Sequence, residues 1–131
     1  MAIEGRWEVD SAIDHGPDTE CYWMERPDGW WVDVEGLDPR AMARLMVGRE
    51  ARWVTMTGAP LADGAHRLIY RWEVSGRPLN IATTIADAPI DSIADLLPAA
   101  APAEREMHHR FAIAFVGNAE TAAPPARPRV A

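Results

Sequence analysis

The clearest hydrophobic rhythm along the chain lies between residues 67 and 85. Leu68, Tyr70, Trp72 and Val74 alternate with Ile69, Arg71 and Glu73. After Ser75-Gly76-Arg77-Pro78 the alternation resumes, with Leu79, Ile81, Thr83 and Ile85 as the inward face. A period of two predicts two strands joined by a turn. Arg52 to Thr57 predicts another strand, set off by Gly58, Pro60 and Asp63-Gly64. Upstream, ECYWME and WWVDVE are aromatic and β-branched runs joined by Arg26-Pro27-Asp28-Gly29. Pro27 presets a turn there and Gly29 tolerates positive φ, so residues 20 to 35 predict a β-hairpin. The turn lengths favour antiparallel neighbours.

Between the hairpin and these strands the period changes. Met42, Leu45 and Met46 share a helical face, with Arg40, Arg44 and Arg49 on or beside the other. Asp38 is the N-cap, Pro39 takes the first helical position, Leu37 can staple onto Met42, and Gly48 is the expected stop. After Pro89 the composition turns to alanine. Ser92 with Asp95 resembles a capping box for a short helix ended by Pro98. A further helix starts at Pro102, with Glu104 and Glu106 in its N-terminal turn and Met107 and Phe111 on one face. The fold expected is α+β: a single domain with an antiparallel sheet of about four or five strands and helices packed on one face. That domain covers residues 20–118. Residues 1–19 are an acidic, weakly structured segment in which an edge strand around Arg6 to Val9 is one possibility. Residues 119–131 form a Pro/Ala-rich tail with no periodic apolar residues, expected to be disordered.

Charge and composition narrow the function. The 131 residues carry 20 acids against 13 bases, all arginine, for a net charge of -7. Eleven of the acids fall within residues 1 to 38, opposed only by Arg6 and Arg26. This balance argues against nucleic-acid binding and for a basic protein partner. One cysteine, Cys21, supplies neither an internal disulfide nor the thiolates of an iron–sulfur cluster or structural zinc site. The N-terminus lacks the pattern of a secretory signal and no apolar run reaches the roughly 20 residues of a membrane span, so a cytoplasmic protein is expected.

Catalytic signatures are sparse. There is no GxGxxG, no GxxxxGK and no GxSxG. Cys21, within a predicted strand, lacks a nearby base to activate it. Glu106 and His109 share a helical face, as do Glu104 and His108, so either pair offers two metal ligands. A di-iron carboxylate site needs two Glu-x-x-His motifs and two more glutamates, and the only other histidines are His15 and His66. Adjacent His108 and His109 point about 100° apart on a helix and cannot share one ion. A solvated or partner-facing charged helix is the simpler account. The six tryptophans lie mainly on strands, which favours packing in a core or an interface over a ligand pocket.

One stretch carries a family pattern. Asp91-Ser92-Ile93-Ala94-Asp95-Leu96-Leu97-Pro98-Ala99-Ala100, followed by Glu104-Arg105-Glu106-Met107-His108-His109-Arg110-Phe111-Ala112-Ile113-Ala114-Phe115-Val116-Gly117, resembles the signature of the thirty-kilodalton subunit of bacterial NADH:quinone oxidoreductase, respiratory complex I. The same family serves energy-converting nickel–iron hydrogenases of the formate hydrogenlyase and CO-induced types. That signature runs from a serine through Trp-x-x-Ala to Glu-Arg-Glu, an aromatic residue and an aspartate, Phe-Gly-Ile-x-Phe and Gly-His-Pro-Asp. Glu104, Arg105, Glu106, Phe111, Ile113, Phe115 and Gly117 match. The aspartate is His109 here, the glycine is Ala112, and His-Pro-Asp reads Asn118-Ala119-Glu120. The order of elements extends the likeness to roughly residues 30 to 120.

The resemblance implies a non-catalytic assembly subunit, without flavin, cluster or other cofactor, that docks onto the large catalytic subunit. It would lie at the inner face of the cell membrane and associate with that membrane only through the complex. Glu104, Arg105 and Glu106 would form a charged docking helix, with Phe111, Ile113 and Phe115 as apolar anchors beside Gly117. Two other readings stand beside it. One is a free-standing interaction module that uses Trp30 and Trp31 of the hairpin with the acidic N-terminus; the other is a small metal-dependent enzyme built on Glu106 and His109.

Overall fold

The computed structural model describes residues 21–86, 88–118 and 121, with side chains from Met24 onward. The acidic segment 1–19, the expected strand at Arg6 to Val9, His15, the side chain of Cys21 and all of the tail 119–131 except Thr121 lie outside the described residues.

The hairpin forms as the sequence predicts. β1 (Cys21–Arg26) and β2 (Gly29–Val34) are antiparallel, with Arg26 opposite Gly29. Gly29 has φ +118, and a Cβ at this position would lie 2.5 Å from the carbonyl oxygen of Pro78. Only glycine lets the hairpin start so close to its neighbour's backbone. The helix α1 (Pro39–Gly48) follows, and its N-cap Asp38 accepts from the amides of Arg40 at 3.1 Å and Ala41 at 3.2 Å. Its end differs from expectation. Gly48 is helical, and the left-handed residue is Glu50 at φ 57. The Glu50 amide reaches Val47 O and the Ala51 amide reaches Met46 O, a Schellman ending built without glycine.

β3 (Arg52–Pro60), β4 (His66–Val74) and β5 (Arg77–Ile85) complete the main sheet, with a 3-10 turn at Ala62–Gly64 between the first two. Ser75 and Gly76, at φ 51 and φ 77, make the two-residue turn between β4 and β5. The strand order is β1-β2-β5-β4-β3. The sheet is mixed: every pairing is antiparallel except β2 with β5, which run parallel. Turn lengths gave no sign of this pair, because α1, β3 and β4 lie between its members in sequence. Being central, β5 buries Asn80 and Ala82 as well as Leu79, Ile81 and Thr83, while Ile85 is only half-buried.

The alternating set Leu68, Tyr70 and Trp72 faces a core shared with Val32, Val34, Leu79 and Ile81. Met42, Ala43 and Met46 from α1 join it, as does Met107 from α2 (Ala101–Phe111). Helices therefore cover one face of the sheet, and the fold is a single small α+β domain. α2 crosses β3 at Gly58, where an added Cβ would sit 2.9 Å from Met107 Sδ and 3.1 Å from the Phe111 ring.

The expected short helix after Ser92 does not form. Ser92 Oγ accepts from the Ala94 amide at 3.1 Å, closing a tight turn rather than a helix. Asp95 turns outward to Arg40 of α1, with contacts of 2.7 and 2.9 Å. Pro98, expected as a stop, opens a 3-10 turn (Pro98–Ala100) that runs into α2. β6 (Ile90–Asp91) and β7 (Phe115–Val116) pair in parallel as a separate two-stranded sheet. Among the described residues no helix is long and apolar enough to cross a membrane.

Candidate functional site

Hydrogen bonds from Ser92, Ile93 and Asn118 converge on Glu104. It lies in the first turn of α2, where the helix dipole favours an acid, and it is fully buried. Its carboxylate accepts from Ser92 Oγ at 2.6 Å, from the Ile93 amide at 2.8 Å and from Asn118 Nδ2 at 3.4 Å. One side chain thus ties α2 to the turn before it and to the turn after β7. Arg40 grips the same turn from α1, donating to Ser92 O at 2.9 Å as well as to Asp95. This Arg40 hydrogen bond, with its charge, holds the Asp95 carboxyl below the ordinary aspartate range. The Tyr70 phenol sits nearby in the core. Burial first, and then the charges of Glu104 and Asp91, push it above its usual range.

Past α2 the chain turns inward. Ala112 ends the helix in the left-handed conformation at φ 57, its amide bonded to His108 O at 3.0 Å. The parallel pairing of β6 and β7 then sets Ile90 beside Phe115. Phe115 is fully buried and Ile113 nearly so. Glu104, Ile113 and Phe115, expected as docking contacts, are therefore interior residues that hold the domain itself. The reason is tertiary packing: Phe115 pairs with Ile90 of β6, and Ile113, just before β7, is buried in the same core cluster. Thr121 is also buried, and its carbonyl accepts from the Phe115 amide at 2.6 Å.

Three of the remaining expected contacts face outward, and Phe111 packs partly against β3. Arg105, Glu106 and Gly117 are exposed and Phe111 is half-buried, its ring 5.3 Å from that of His66. Glu106 pairs with Arg110 one turn along at 3.5 Å, an exposed contact of small energetic value. Beside the end of α2 a recess of about 170 Å³ opens between His66, Ile85, Phe111 and Ile113. Together these residues make a charged ledge with a small recess of mixed polarity at its end.

No family model matches the chain, and no curated protein does. The resemblance therefore rests on the sequence motif alone.

The two alternative sites fare less well on geometry. Glu106 is turned to Arg110, while His109 stacks edge-on against His108 at 5.4 Å. In the other pair Glu104 is committed to Ser92 and Ile93, and His108 Nδ1 lies 2.8 Å from the Ile113 carbonyl. Among the described residues, no group of three or more His, Cys, Asp or Glu side chains could hold a metal ion. Trp30 and Trp31 are only 5% and 9% exposed, which leaves little of either indole to touch a partner. Trp31 lies between the guanidinium groups of Arg26 and Arg71, at 5.0 and 5.2 Å, and its Nε1 donates to Asp28 at 2.9 Å.

Sequence reasoning missed the roles of Ser92, Asn118 and Arg40. The sequence marks Ser92 as the cap of a short helix, and its bond to Glu104 spans 12 positions and has no local signal. Asn118 and Arg40 act over 14 and 55 positions respectively, beyond any periodicity.

Proposed function

We propose that this chain is a non-catalytic assembly subunit of a membrane-associated oxidoreductase complex, of the NADH:quinone oxidoreductase or energy-converting hydrogenase type, docked on the large catalytic subunit. The observation that carries the reading is the stretch 104–117. Residues that match the family signature there divide into a buried set, Glu104, Ile113 and Phe115, and an exposed set that includes the charged pair Arg105 and Glu106. A docking surface needs this division, because contact side chains bind well only when their own positions are fixed.

Ala112 adds support from an independent direction. The signature has glycine at this place, and the chain takes φ 57 there, a conformation that glycine adopts without strain. The backbone thus keeps a shape suited to the signature even where the residue has changed. In this reading Arg105 and Glu106 meet the partner, Phe111 contributes apolar contact at the helix end, and Gly117 allows close approach. Ile113 and Phe115 act from beneath as supports. Flavin, clusters and metal belong to partner subunits, and the chain reaches the inner face of the membrane only through them.

Affinity purification of the tagged chain from its native membranes tests the proposal. The expected result is recovery of subunits that carry iron–sulfur or nickel–iron centres; recovery without any such subunit overturns it.

A further inference from the structure

We draw no further inference here: the strongest candidate, the recess of about 170 Å³ between His66 at the start of β4 and Phe111 and Ile113 around the end of α2, belongs to the docking ledge already described, and nothing in the structure shows what covers it.

Discussion

Between Cys21 and Ile85 the chain is held by apolar side chains on one face of a sheet, whereas between Ile90 and Thr121 apolar packing is joined by a buried, hydrogen-bonded carboxylate. In the sheet, Val32, Leu68, Tyr70, Trp72 and Ile81 are all fully buried, and each contributes through the area it removes from water. The later segment has two strands of two residues each and one helix of 11. Its Ile93, Met107, Ile113 and Phe115 join the same core, and Glu104 adds a buried carboxylate that gathers donors from the turn at Ser92 and Ile93 and from Asn118 after β7. Apolar packing weakens gradually as atoms are removed. A buried polar cluster fails more abruptly, because each lost partner leaves another group unsatisfied.

The contrast can be broken from either side, and the sheet should give the largest effect. Trp72→Ala removes a fully buried indole and is expected to cost about 4 kcal/mol, read as a lower denaturant midpoint for the whole domain. Glu104→Ala comes next, at about 3 kcal/mol, since it leaves Ser92 Oγ and the Ile93 amide without their acceptor. Hydrogen exchange should separate the two variants. Trp72→Ala lowers protection throughout, whereas Glu104→Ala lowers it most around Ile93 and the start of α2; uniform loss in both would erase the distinction.

Smaller changes probe the seam between the regions. Gly58→Val pushes α2 away from β3 and should cost about 2 kcal/mol, visible in a thermal melt. Ala112→Gly should stabilise by about 0.5 to 1 kcal/mol, since relief of the left-handed strain exceeds the added freedom of the unfolded chain. The smallest effect belongs to Asp95→Asn. Asp95 is held below the ordinary aspartate value by Arg40, so its contribution is present above about pH 3.9 and is lost as pH falls through the lower folded value. The variant should lose that part of the acid dependence, so its small deficit at neutral pH disappears as pH falls.

The same contrast explains what could be read from sequence. The alternation of Leu68, Tyr70 and Trp72, the Asp38-Pro39 helix start and the Pro27 to Gly29 turn are local signals, and the structure matches each. The β2–β5 pairing escaped because it joins residues about 50 positions apart with no shared turn. Glu50 took the left-handed position expected near Gly48 because hydrogen bonding at the helix end, rather than residue preference, fixed where the chain reverses. The run from Pro102 to Phe111 predicted a helix, but only tertiary packing assigned Glu104 to the interior and Arg105 and Glu106 to the surface. The resemblance implied that Ile113 and Phe115 are anchors for a partner. Phe115 pairs with Ile90 of β6, and both residues are buried in the domain's own core.

Docking of the chain onto a cofactor-bearing subunit through the outward charges of α2 is tested most directly by purification of a tagged Arg105→Glu/Glu106→Arg double variant beside the wild-type chain from native membranes. Both exchanged side chains are exposed, so the variant should melt like the wild type. Recovery of iron–sulfur or nickel–iron subunits is expected to fall at least about tenfold, equivalent to roughly 1.4 kcal/mol of lost binding. Equal recovery of those subunits with the variant and the wild type would contradict docking through this helix.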